Sequence, residues 1–152
     1  MKLWKRILFV IFILCILIGV VSAVHTEREK YWLQQNIDHI FTWNFSQLNA
    51  TQMLLALNPD MTEQERDYYQ DMITKYGYTI SQLFSSTSYR ESVAMNVIVG
   101  LLDQATGTDA INDIRMTEEL NHKLTELQLS NFSDETKISE ALTTLKNCII
   151  TK

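Results

Sequence analysis

The chain is 152 residues long, 46% hydrophobic and 20% charged, with four Gly, one Pro and two Cys. That length holds one ordinary domain and a small appendage, not two full domains. So few Gly and Pro exclude collagen-like and hairpin-rich all-β chains, the apolar content excludes wholesale disorder, and two cysteines cannot build a disulfide scaffold.

Lys2, Lys5 and Arg6 precede an uncharged run from Ile7 to Val24, and no acidic residue occurs before Glu27. As a helix this run is about 27 Å long, just under the roughly 30 Å hydrocarbon core of a bilayer. Two readings stand side by side. A basic start, an apolar stretch from Ile7 to Val21 and the small residues Ser22 and Ala23 describe a signal peptide cleaved after Ala23. The Ile/Leu/Phe density, and the absence of Pro or Gly from Val24 to Leu33, describe a signal anchor that stays in the membrane through residues 7–24. Both predict the same orientation. Three cations stand before the run, whereas Glu27, Arg28, Glu29 and Lys30 cancel behind it, so the N-terminus stays in the cytoplasm and residues 25–152 cross to the outside.

Beyond Ala23 there are ten Lys/Arg against all 18 Asp/Glu, a formal charge of −8. Such an acidic body repels phosphate backbones, so no nucleic-acid partner is expected. Cys148 is the one thiol of this part and falls on an apolar stripe, as a buried free thiol does.

The outer part reads as helices. Leu33, Ile37, Ile40 and Phe41, led by Tyr31 and Trp32, recur at helical spacing within Val24 to Trp43, and a shorter helix is expected from about Gln47 to Leu57, closed by Asn58-Pro59. Thr62 with Glu65 forms a capping-box pattern ahead of Tyr69, Met72, Ile73, Tyr76, Ile80, Leu83 and Phe84. Gly77 inside that stripe is expected to weaken the helix by about 1 kcal/mol relative to Ala. Ser88 with Glu91 repeats the capping spacing and opens a very apolar helix running to Thr106, with Gly107 as its stop. Asp109 then caps a segment carrying Ile111 and Ile114, a break falls near Met116, and Leu120, Leu124 and Leu127 carry the next stripe. Ser133 starts a last helix whose stripe is Ile138, Ala141, Leu142, Leu145, Cys148 and Ile149. No stretch shows sustained period-two alternation. The expected fold class is all-α, with the N-terminal hydrophobic helix followed by an extracytoplasmic bundle of about four principal helices and one or two short ones.

Motifs that carry chemistry are sparse. Glu119 and His122 match the Glu-x-x-His spacing of carboxylate-bridged metal sites, and Glu118, His122 and Glu126 align one turn apart, but no second Glu-x-x-His completes such a site. A solvated helix face describes these residues better. No nucleophile elbow, phosphate loop, His-Glu-x-x-His helix or Cys-x-x-Cys pair occurs, so neither an enzyme nor a cofactor is expected. Tyr31, Trp32, Trp43 and Phe45 stand out as interaction anchors if exposed, and as the closure of one end of the core if buried. Asn44, Asn49 and Asn131 each begin an Asn-x-Ser/Thr triplet. The expected function is therefore a non-enzymatic, membrane-anchored module that binds a protein partner, the alternative being a helical bundle that holds a small ligand or metal.

Overall fold

A computed structural model describes residues 2–107 and 112–151, with the side chains of residues 2, 3 and 5–10 left aside. Among these residues the elements are α1 (Lys2–Leu57), α2 (Glu63–Phe84), α3 (Val93–Thr106), β1 (Asn112–Ile114), α4 (Glu118–Leu129), α5 (Glu135–Cys148) and β2 (Ile149–Thr151). The chain divides into two compact units, Met1–Asn36 and Ile37–Lys152.

The first unit is helical and apolar. Every residue from Ile11 to Val24 is exposed, including Phe12, Leu14, Leu17, Ile18 and Val21, so apolar side chains face outward on all sides. This is the one helix among the described residues long and apolar enough to cross a membrane, a property it shares with signal sequences. Behind it the surface turns polar. Lys30 pairs with Glu27 at 3.1 Å, and His25 faces Glu29 at 3.4 Å, one turn on.

The second unit has one apolar core to which all five helices contribute: Phe41, Phe45 and Leu48 from α1, Ile80 from α2, Met95 and Ile98 from α3, Leu124 from α4 and Ile138 from α5. Its centre is aromatic. The Phe41 ring lies 5.4 Å from Phe132, 5.8 Å from Tyr89 and 6.1 Å from Phe84, centroid to centroid. Burial is the main reason the Tyr89 phenol is pushed above its ordinary pKa, keeping the hydroxyl neutral.

Helix ends follow their capping residues. The Thr62 hydroxyl accepts from the Glu65 N–H, and the Glu65 carboxylate accepts from the Thr62 N–H at 3.0 Å, completing the expected capping box. The Thr62 contacts hold Glu65 below its ordinary carboxylate pKa, so this interaction is intact above that value and is lost as pH falls through the folded-state value. Thr62→Ala is expected to cost about 1 kcal/mol, read as a shift in denaturation midpoint.

The structure departs from the sequence expectations at several points. The two helices expected over 24–43 and 47–57 are one, because nothing between Phe41 and Leu57 is worse than Asn as a helix former and the core holds the segment at Phe45 and Leu48. Ser88 does not cap α3. Ser92 does, accepting from Met95 N–H at 3.3 Å, while the Ser88 N–H is taken by the Asp38 carboxylate at 2.9 Å, a tertiary contact that outcompetes the local box. Asp134 rather than Ser133 caps α5. Gly107 ends α3 in an extended conformation, not a left-handed one. The segment at Asp109 and Ile111 lies outside the described residues. Ile114, expected in a helix, belongs to β1, which pairs antiparallel with β2 in the register Asn112↔Thr151 and Ile114↔Ile149. Three-residue strands are too short to show alternation, so this departure from a purely helical chain was invisible to pattern reading.

Candidate functional site

Two surfaces of the second unit are composed unlike the rest. One is the outward side of the Ile37–Leu57 part of α1. Ile40, Trp43, Leu54 and Leu57 are separated by three, eleven and three residues, which returns them to one side of the helix. They are 46%, 51%, 37% and 62% exposed. The opposite side carries Phe41, Phe45 and Leu48 into the core, so this stretch is apolar on two sides and only one is covered. Asp38 and His39 are its only ionisable residues. The four apolar side chains form two pairs about 16 Å apart along α1, with Gln47 and Ala50 between, and together present on the order of 400 Å² of apolar surface, a scale at which surface patches are often functional.

The second surface is a groove of about 840 Å³ between the last turns of α1, α2, the end of α3, and β1 with the residues after it. Arg66, Gln70 and Thr74 line it from α2, each one turn after the last, and Arg115 lines it from the loop before α4. Leu55, Ile73, Ile114 and Met116 add apolar wall. Gln52 lines it as well. Its side-chain oxygen is buried without a hydrogen-bond partner, a condition that costs about 1–3 kcal/mol. No sequence signal distinguishes Arg66, Gln70 and Thr74 from a solvated helix face. Gln52 follows Phe41, Phe45 and Leu48 in phase on α1, but Asn44, Asn49 and Thr51 of the same stretch are buried polar residues too, so its position alone did not mark it.

The anchors named from sequence separate. Tyr31 and Trp32 belong to the first unit and are each 66% exposed. Trp43, in the second unit, keeps half its surface free while its ring meets the Tyr76 ring edge-on at 6.0 Å. Phe45 is 1% exposed and packs on Phe132, so it is a core residue and not an anchor. The correction has a simple cause: Trp43 and Phe45 are two residues apart, about 200° around a helix, and cannot share a face.

Glu119 and His122 both lie exposed on α4. His122 turns to Glu126, its Nδ1 3.3 Å from the carboxylate, and not to Glu119. Among the described residues no three His, Cys, Asp or Glu side chains converge as a metal-ligating group would. The neighbouring Lys123 instead ties α4 to α5, its Nζ donating to Glu140 at 2.6 Å and to Glu126 at 3.3 Å. Those bonds, the Glu140 one foremost, raise the Lys123 pKa, and the Lys123 bond lowers that of Glu126. A raised lysine stabilises fully below its ordinary pKa and loses that effect as pH rises through the folded-state value; a lowered carboxylate loses its effect as pH falls. Lys123→Met is therefore expected to lower stability modestly around neutral pH and to leave it unchanged at the acid and alkaline extremes, measured by thermal melts across pH.

Asn44 and Asn49 are 6% exposed within α1, and Asn44 donates to the Ile40 carbonyl, so neither triplet offers an accessible acceptor in the folded chain. Asn131 is exposed in the turn before α5. Cys148 is buried with its sulfur 3.9 Å from the Thr117 hydroxyl. Comparisons with protein-family models, curated proteins and solved structures find no match to this chain.

Proposed function

We propose that this protein is a membrane-anchored module whose acidic helical bundle lies outside the cytoplasm and binds a protein partner through the outward face of α1, without catalysis of its own. The observation that carries the reading is the uncharged apolar strip Ile40, Trp43, Leu54 and Leu57, left open on a body of formal charge −8. A chain that keeps itself soluble with surface acid has a physical reason to cover such a strip. A patch of this size suits a transient complex rather than an obligate one, since stable interfaces bury roughly 800 Å² per partner. The anchor reading draws on Ile11–Val24, whose apolar side chains face outward on every side and gain from lipid what water would cost them.

Two measurements test the proposal. A photo-crosslinking residue at position 43, in cells, should give a discrete adduct that Ile40→Glu abolishes. The same residue at exposed Thr143 on α5 should give none. Equal labelling at both positions, or no adduct at 43, overturns the binding face. For topology, Thr143→Cys should react with a membrane-impermeant maleimide in intact cells while the chain stays in the membrane fraction; labelling only after lysis overturns the orientation, and recovery of the chain from the medium overturns the anchor.

A further inference from the structure

The polar groove has a composition that partner binding through α1 does not use. Gln52 is 9% exposed and its Oε1 atom is an acceptor with nothing to accept. Folded chains seldom leave such an atom unpaired, and the residue that carries it lines the cavity. The groove, at about 840 Å³, lies within the usual size of small-molecule sites.

Four ionisable side chains line the groove: Arg66, Arg115, Asp71 and Asp113. Lys75 donates a hydrogen bond to Asp71, and Asp113 accepts the N–H of Ile114. Arg66 gives one N–H to the Pro59 carbonyl at 3.0 Å and keeps its others, and the Arg115 side chain is exposed. A guanidinium carries five N–H donors in a fixed fork suited to a planar oxyanion. Two arginines balance the two aspartates in number, so the groove lining is formally neutral on a body of formal charge −8.

We propose that the groove binds a small organic carboxylate carrying an adjacent N–H and a compact apolar group, the chemistry of an N-acylated amino acid or of a peptide C-terminus. The carboxylate meets Arg115 and Arg66, the N–H supplies the donor that Gln52 lacks, and the apolar group lies against Ile73 and Met116. Each requirement comes from a different part of the groove, so a ligand lacking any one of them binds more weakly.

The test is calorimetric titration of the full chain in lipid nanodiscs. N-acetyl-leucine should bind saturably, and its neutral amide about tenfold more weakly for want of the charge-assisted bonds. Inorganic phosphate, which has no apolar group, should also bind more weakly. An N-acetylated tripeptide ending in leucine separates the two sources: tighter binding than N-acetyl-leucine assigns a peptide end, and equal binding a free derivative. Arg115→Gln, at an exposed position, should weaken N-acetyl-leucine about tenfold with an unchanged melting temperature. Gln52→Met removes the unpaired acceptor, so it should raise the melting temperature while weakening the ligand, a pairing that a purely structural glutamine would not show. No saturable binding up to about 10 mM, a Kd in the range of very weak ligands, overturns the proposal. So does equal affinity for acid and amide, phosphate binding as tightly as N-acetyl-leucine, or Gln52→Met leaving affinity unchanged.

Discussion

Gly77→Ala should destabilise the second unit by about 2–3 kcal/mol, although it installs a better helix former. A Cβ at position 77 would lie 1.8 Å from the Thr106 hydroxyl oxygen and 2.7 Å from the Thr106 Cβ, so α2 and α3 meet where only a hydrogen fits. Thr106 cannot easily turn away, because it is 3% exposed and its hydroxyl donates to the Leu102 carbonyl at 2.8 Å. The intrinsic gain of about 1 kcal/mol is therefore outweighed by overpacking. Gly100→Ala serves as the counterpart. Nothing lies within 4 Å of its added Cβ, and it should stabilise by about 0.5–1 kcal/mol. Urea denaturation followed by circular dichroism measures both. Combining Gly77→Ala with Thr106→Gly should recover part of the loss, since the three atoms nearest the added Cβ all belong to Thr106; strictly additive effects would show that the helices do not meet there.

The second large effect is at Phe41. Its ring is fully buried and contacts those of Phe45, Phe84, Tyr89 and Phe132. Phe41→Ala should cost about 3–5 kcal/mol through lost burial and a cavity the surrounding rings cannot refill. That is a large share of the roughly 5–15 kcal/mol by which domains are stable, so partial unfolding at 37 °C is the expected observation. Trp43→Ala, two residues on, should cost less, about 1–3 kcal/mol from its edge contact with Tyr76 and its half-buried surface, while abolishing the crosslink from a photo-crosslinking residue placed at position 54 of the same face. A Trp43 variant as damaging as the Phe41 variant would mean that Trp43 belongs to the core and that the open face does not exist.

These two comparisons mark what was legible in the letters. The capping box at Thr62 and Glu65, the buried stripe of α3, the break before α4 and the stripe of α5 through Cys148 could all be read from the chain, because they depend on neighbours three or four residues apart. So could the apolar N-terminal helix, which is a matter of composition and length alone. Local signals also misled where a distant group competed, as Asp38 does for the Ser88 N–H.

Tertiary structure decided the rest. Whether Trp43 or Phe45 faces inward depends on where α2 and the turn at Phe132 lie. Whether Gly77 is a weakness or a requirement depends on Thr106, 29 residues away. Gln52, Arg66 and Arg115 share a groove only because α1, α2 and the segment after β1 converge. Periodicity assigns each helix a face, but a site is made where faces of different helices meet, and no spacing within one segment encodes that meeting.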